Sequence, residues 1–316
     1  MRKKIINNLL QAVPVIFGVI IINFFLIHLA PGDPAVMLAG EEAPAEYLDL
    51  IRDKMGFNKP MHIQLFIYLK QVLSGDLGYS YYSNRPVLEI IIERLPNTLL
   101  LLGTAFVFSI LIGIFLGIIA SKKPYSLTDN ITSFLSLILY SLPTFWLGMI
   151  FILIFSVHLK IFPTSGIMSV KGGSSIFDRL LHMFLPSSVI TIYWLALYTR
   201  ITRGSMLETL KKDYILTAWA KGCSERIVLF KHALRNALLP IITVIGLRFR
   251  VLFTGSVTLE TVFAWPGIGR LMYDAIIDMD YPILMGGFII VSIIVVLANL
   301  VTDIIYTILD PRIRFK

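Results

Sequence analysis

PNTLLLLGTAFVFSILIGIFLGIIA, from Pro96 to Ala120, runs for 25 residues without an acidic or basic side chain. At about 1.5 Å of rise per residue such a run exceeds the roughly 30 Å of a hydrocarbon core, so it predicts a membrane-spanning helix. Four further charge-free runs share its character: Leu9 to Ala30, Ile131 to Val157, Met183 to Thr199 and Tyr281 to Thr302. A sixth, Ala237 to Val257, is interrupted by Arg248 and Arg250. The first run is too long for a secretory signal and lacks its small-residue cleavage site, so it reads as a retained helix.

Composition agrees with this reading. The 316 residues are 56% hydrophobic and 15% charged, with a mean hydropathy of +0.79, far from a soluble globular chain. One cysteine, with 21 Gly and 15 Pro scattered along the chain, leaves no room for a disulfide scaffold, a collagen repeat or a disordered chain. The net charge of +8 would suit nucleic acid, but its distribution follows the positive-inside rule instead, and no nucleic-acid partner is expected. With the N-terminus cytoplasmic, the inside segments carry sixteen Lys/Arg: Arg2, Lys3, Lys4, Lys122, Lys123, eight between Arg200 and Arg235, and Arg312, Arg314 and Lys316. The short outside segments carry four, namely Lys160, Lys171, Arg179 and Arg270. Six spans then place both termini in the cytoplasm of a multi-pass inner-membrane protein.

The expected organisation is a cytoplasmic N-terminus and first helix over 1–30, an extracytoplasmic segment over 31–95, and a five-helix core over 96–316. The extracytoplasmic segment has nine Asp/Glu and six Lys/Arg, with Ile63, Phe66, Ile67, Leu69 and Leu73 at near-helical spacing before a Ser74-Gly75-Asp76 turn. The stretch Arg200 to Arg235 has no proline and eight basic residues, which predicts a cytoplasmic helical excursion. The fold class expected is therefore all-α, with six transmembrane helices, an external helical segment and a cytoplasmic loop over 200–236.

Motifs of covalent chemistry are missing from the sequence. It has no GxxxxGK[ST] loop, HExxH, CxxC or GxSxG, so no catalytic residue, bound cofactor or metal site is expected. His28, His62, His158, His182 and His232 are dispersed, and Cys223 reads as an incidental thiol.

The most informative stretch is DYILTAWAKGCSERIVLFKHALRNALLP, Asp213 to Pro240. Thr217, Ala218 and Ala220 are small enough for another surface to approach a helix closely, and Gly222, after Lys221, can end that helix in a left-handed cap. Ser224 can start a second helix through Ile227, Phe230 and Leu234, whose apolar face suits a partner groove, with Arg226, Lys231, His232 and Arg235 around it. A solvated basic loop near anionic lipid is the alternative that composition leaves open.

This segment resembles the EAA coupling loop of ABC importer permeases, in the form found in the dipeptide/oligopeptide/nickel family. The likeness continues through Pro31-Gly32-Asp33-Pro34, Gly56 to Pro60 with Gln64, Gly75-Asp76-Leu77-Gly78 with Ser80, Pro86-Val87 and Arg94-Leu95-Pro96-Asn97-Thr98. It then runs through Ser141-Leu142-Pro143 with Phe145, Pro163-Thr164-Ser165-Gly166, His232 to Ala237, Phe263-Ala264-Trp265-Pro266-Gly267-Ile268-Gly269 and Leu309-Asp310-Pro311-Arg312. The long external segment after the first span is similar to that of the B-type, first permease of such systems. The general loop pattern has a glutamate where this chain has Leu216, and its Leu-Pro falls nearer the glycine than Leu239-Pro240 does here. The resemblance implies a second homologous permease, two ATP-binding subunits that hold the ATP and magnesium, and an extracytoplasmic substrate-binding protein. It implies import of peptides or, as the alternative, nickel or another small solute.

Two further features stay open between a functional and a structural reading. Arg248 and Arg250 stand in the fifth span, where a guanidinium is costly and must face a cavity or a partner. Either one of them lines the translocation path and attracts peptide carboxylates, or both serve packing and the permease interface; two residues apart, they diverge by roughly 200° on a helix and cannot both face one path. Trp265-Pro266-Gly267 predicts a tight turn with Trp265 anchored at headgroup depth. By resemblance that turn belongs to the external mouth against which the binding protein docks, and a purely structural anchor is equally compatible. A self-powered secondary transporter would need acidic residues in its spans, and the five clear runs have none.

Overall fold

The structure, a computed structural model, describes residues 2–29, 35–36, 44–56, 58–169, 175–252 and 256–309. The Pro31-Gly32-Asp33-Pro34 string and Asp310-Pro311-Arg312 lie outside the described residues. Among those described, the fold is helical, with an isolated antiparallel bridge between Tyr79 and Pro86. The helices are α1 (Arg2–His28), α2 (Ala45–Met55), α3 (Met61–Leu73), α4 (Val87–Lys122), α5 (Leu127–Ser141), and α6 (Thr144–Phe151) continued by a π-helical stretch, Ile152–His158. There follow α7 (Ile176–Leu210), α8 (Asp213–Ala220), and α9, which comprises Glu225–Ile227, a π-helical stretch Val228–Ala233, and Leu234–Val251. The last three are α10 (Val257–Val262), α11 (Ile268–Ile277) and α12 (Tyr281–Leu309).

Four of these are long and apolar enough to cross a membrane: α4, α7, Glu225–Phe249 of α9, and Tyr281–Thr302 of α12. A fifth span is made by α5 with Thr144–His158 if that bent pair is counted as one; the two halves meet at 102°. The described part of α1 carries a shorter apolar stretch, Val13–Leu26. Helices outrun the charge-free sequence runs because hydropathy marks lipid, not hydrogen bonding. The 36 residues of α4 reach about 54 Å, with Glu89, Glu93 and Arg94 in the turns before Pro96. Pro143 starts the second half of the bent pair, whereas Pro186 sits inside an unbroken α7.

Among the described residues the chain packs as two units, 97–270 and 301–309 in one, and 2–96 with 271–300 in the other. In the first, α4 and α7 approach through Gly113 and Gly117, one turn apart on α4. A Cβ on Gly113 would fall 2.6 Å from Tyr198 Cβ, and one on Gly117 would fall 2.5 Å from Thr202 Cβ and 2.8 Å from the Thr199 carbonyl oxygen. Backbone contact of this kind is how helices associate where lipid removes the hydrophobic drive. Around it lie Leu101, Leu102, Phe106, Leu147, Met183, Val189, Tyr198, Phe263 and Trp265. Asp129 in α5 and Arg203 in α7 form a bidentate ion pair, Nη2 to Oδ2 at 2.7 Å and Nε to Oδ1, with the carboxylate almost wholly buried. The Tyr125 N–H and the Ser133 hydroxyl also donate to that carboxylate, which stabilises an anion held away from water.

The second unit explains the turn chemistry around Ser74-Gly75-Asp76. Gly75 and Gly78 have φ of +84° and +81°, and the Gly78 N–H donates to Asp76 Oδ1 at 2.9 Å. Asp280 is buried, and it accepts from the Ser80 hydroxyl and from the Tyr81 N–H at 3.2 Å. Gly286 of α12 leaves room for Val87, whose Cγ1 would lie 2.5 Å from an added Cβ.

Candidate functional site

The loop between α7 and α9 is the first candidate. Thr209 to Lys212 turn the chain out of α7, and α8 then runs for eight residues. Gly222 ends it as expected, at φ +74°. Its N–H donates to the Trp219 carbonyl at 2.9 Å and the Cys223 N–H to the Ala218 carbonyl at 3.2 Å, the two bonds of a Schellman motif. Ser224 occupies the start of α9 in an extended conformation, but its hydroxyl makes no capping bond; the Ser224 carbonyl accepts from the Val228 N–H at 3.0 Å. Asn236 Nδ2 donates to Tyr214 Oη at 2.8 Å and pins α8 to α9, while Lys122 Nζ meets Glu225 at 2.9 Å at the loop's edge.

Burial divides the predicted residues. Ala218 is buried with Ile118, Met206, Ile215, Val228, Leu229, Ala233 and Ala237, so its small side chain serves packing within this chain, not the approach of a partner. Leu234 packs against the same cluster. Thr217, Ala220, Lys221, Gly222, Ser224, Arg226 and Arg235 are exposed, and His232 is half-buried. The outward apolar face differs from the expected one: Leu216 (60% exposed), Trp219 (45%) and Phe230 (46%) stand out with Tyr214 and Ile227. Five large apolar side chains among Lys221, Arg226, Lys231 and Arg235 make an apolar patch with a cationic rim. Leu216 stands in this patch where the general loop pattern has its glutamate.

The second candidate is the turn after α10, and here the structure corrects the sequence reading. Trp265 is 0% exposed and Gly267 is buried, with Pro266 half-buried. The indole is a core side chain, not a headgroup anchor, and it is not offered to a docking protein. Its Nε1–H donates to the Asn97 carbonyl at 3.0 Å, and Asn97 Nδ2 returns a bond to the Pro266 carbonyl at 2.9 Å. A second Schellman pair, Ala264 N–H to the Thr261 carbonyl and Trp265 N–H to the Glu260 carbonyl, ends α10 and turns the tryptophan inward. Ala264 takes the left-handed position itself, at φ +47°.

At the centre is a residue that the sequence reading passed over. Glu260 is 0% exposed; it accepts from Thr98 Oγ1 at 3.1 Å, the Arg270 N–H at 3.0 Å and the Ser256 N–H at 3.5 Å. Thr98 Oγ1 in turn accepts from the Ile268 N–H at 2.8 Å. Burial pushes the Glu260 carboxyl above the ordinary glutamate range, against the pull of these hydrogen bonds. A Cβ on Gly267 would fall on this carboxylate and 2.5 Å from Thr98 Oγ1; one on Gly269 would lie 2.9 Å from it. The Gly166 N–H donates to the Phe263 carbonyl at 2.9 Å. Asn97-Thr98, Gly166 and Phe263 to Gly269, three strings far apart in sequence, are thus one hydrogen-bonded knot.

Arg248 is half-buried near the end of α9, within electrostatic reach of Tyr193 and Tyr198. The Arg250 side chain lies outside the described residues. Among the described residues no group of three or more His, Cys, Asp or Glu is placed to hold a metal ion.

Residues 109–315 match the family described as binding-protein-dependent transport system inner membrane component, and residues 1–102 match its N-terminal family. The oligopeptide transport system permease protein AppB of Bacillus subtilis is 40% identical over the whole of both chains. The dipeptide transport system permease protein DppB of Escherichia coli is 38% identical, again over the whole of both chains. The glutathione transport system permease protein GsiC of Escherichia coli O6:H1 is 38% identical over the same span. A crystal structure of the MetNI methionine ABC transporter in an inward-facing conformation aligns with a TM-score of 0.56 at 17% identity. It covers 71% of this chain and 97% of that one, a likeness of fold.

Proposed function

The chain belongs to the inner membrane components of binding-protein-dependent transport systems, the ABC importer permeases, and on that premise we propose that it carries peptides across the cytoplasmic membrane. In this reading it has six spans, α1 included, and both termini lie in the cytoplasm. Its partners are a second homologous permease, two ATP-binding subunits and an extracytoplasmic substrate-binding protein. Nickel or another small solute is the alternative cargo; the names of the full-length relatives, oligopeptide, dipeptide and glutathione permeases, favour peptides.

The observation that carries the mechanism is the α8–α9 hairpin. Its inner face is continuous with the core of α4 and α7 through Ile118 and Met206, while its outer face presents Leu216, Trp219 and Phe230. A groove on an ATP-binding subunit that takes this patch would pass its closure into the spans as a push on a packed, capped element. The chain supplies no covalent step; ATP bound and hydrolysed by the partners drives alternation between inward-open and outward-open states.

Gly222→Leu tests this reading. Nothing lies within 4 Å of an added Cβ, so the cost in this chain is the left-handed backbone alone, about 1 kcal/mol. Membrane insertion should therefore persist, while the ATP-binding subunits co-purify at least several-fold less well and ATP-driven peptide uptake falls with them. Undiminished co-purification and uptake would remove the hairpin from the coupling role.

A further inference from the structure

In the first unit one candidate span is sharply bent. α5 ends at Ser141 and Thr144–His158 leaves it at 102°. Discontinuous helices with polar groups at the break are tolerated in membranes only where they face protein or a cavity, and such breaks mark substrate sites in transporters. Tyr140 stands one residue before the end of α5, and its ring stacks on Tyr193 of α7 with centroids 5.2 Å apart and planes 7° apart. Tyr193 is at the midpoint of the 35-residue α7.

Arg248 is at the same level as that stack. Its neighbour Phe249 packs on Phe106 at 6.0 Å, and Phe106 packs on Trp194, the neighbour of Tyr193, also at 6.0 Å. Tyr198, about one turn further along α7, is 0% exposed and its hydroxyl has no hydrogen-bond partner. Among the described residues Arg248 has no carboxylate partner. A cation without an anion therefore stands at mid-helix depth within electrostatic reach of the tyrosine stack, where it is costly. A carboxylate satisfies it.

We propose that Arg248, with Tyr140 and Tyr193, forms a station on the translocation path that binds the C-terminal carboxylate of a peptide in transit. The proposal rests on the peptide-import reading and adds to it a contact inside the membrane, separate from the binding protein. The guanidinium fork takes the carboxylate side-on, and the Tyr140–Tyr193 stack offers an aromatic wall to the last side chain. Contact with one end group alone lets peptides of varied sequence pass.

The test uses the whole complex in proteoliposomes with its binding protein. It measures uptake per ATP hydrolysed of alanyl-phenylalanine and of the same dipeptide as its C-terminal amide. Arg248→Gln should lower free-acid uptake about tenfold while amide uptake stays within about twofold, and Arg248→Lys, a charge without the fork, should lower free-acid uptake about threefold. Equal loss of both substrates, or of neither, in an assembled and ATP-hydrolysing Arg248→Gln complex overturns the station. If Arg248→Gln does not assemble, Arg248→Lys decides, and unchanged free-acid uptake in that variant overturns the station. A wild-type complex that carries neither dipeptide would instead refute the import reading beneath it.

Discussion

Replacing Glu260 separates the knot's contribution from that of the spans. Its carboxylate receives the Thr98 hydroxyl at 3.1 Å and the Arg270 N–H at 3.0 Å in a site with no solvent exposure. Glu260→Ala leaves two buried donors without their acceptor, at about 1–3 kcal/mol each, and opens a small cavity, so the loss should be about 3–5 kcal/mol. For a membrane domain of this size that corresponds to a fall in Tm of roughly 6–15 °C. Glu260→Gln keeps the volume but turns an NH2 toward one of the donors, and should cost about 1–2 kcal/mol. Thermal unfolding of the purified chain in detergent, followed by tryptophan fluorescence, reads both variants. pH gives a second arm. Because burial raises the folded-state pKa, this group's stabilisation is fully present below the ordinary glutamate range and is lost as pH rises through the raised value. Glu260→Gln should remove that slope. A Glu260→Ala protein that unfolds within about 1 °C of wild type would refute the knot.

Two more predictions come from backbone geometry. Ala264 holds a left-handed conformation at φ +47°, so Ala264→Gly should raise stability by about 0.5–1 kcal/mol; an unchanged or lower midpoint in the same unfolding assay would deny the strain. Gly117→Val places a branched side chain where Thr202 Cβ and the Thr199 carbonyl already lie within 2.8 Å, and it should cost about 2–4 kcal/mol by forcing α4 from α7. Wild-type melting of that variant would contradict the close approach.

Hydropathy made the spans legible because a helix in lipid advertises itself by what it lacks. The positions where the helices begin and end were not legible, since Glu89, Glu93 and Arg94 are as compatible with helix as with loop once water is available. Gly222 could be read in advance, because a glycine between two runs of helix formers has a specific backbone use. Ala218 was misassigned for the opposite reason: a small residue permits close approach on either side of a helix, and the sequence does not say which. Ile227 and Phe230 were correctly set apart as apolar, but Trp219 and Leu216, on the other arm of the hairpin, complete the exposed patch with them.

The Trp265-Pro266-Gly267 string shows most clearly what a linear reading loses. A tryptophan near the end of a span usually marks an interface, and nothing local contradicts that here. What reverses it is Asn97, about 170 residues earlier, whose carbonyl takes the indole N–H. Glu260 was invisible for the same reason, since an isolated acidic residue just past a span looks like solvent-facing charge until its donors are known. The knot also accounts for why Asn97-Thr98, Gly166 and Gly267 to Gly269 stood out separately. Each supplies either a donor or the missing Cβ that lets a donor reach its acceptor, so each tolerates few other residues. The Arg248 cluster is the converse case. Among the described residues Arg248 has no carboxylate partner, and a cation left without an anion at that depth is what the proposed station puts to use. The knot is thus the part of the chain whose chemistry closes on itself, and Arg248 with its tyrosines is the part left open to a substrate.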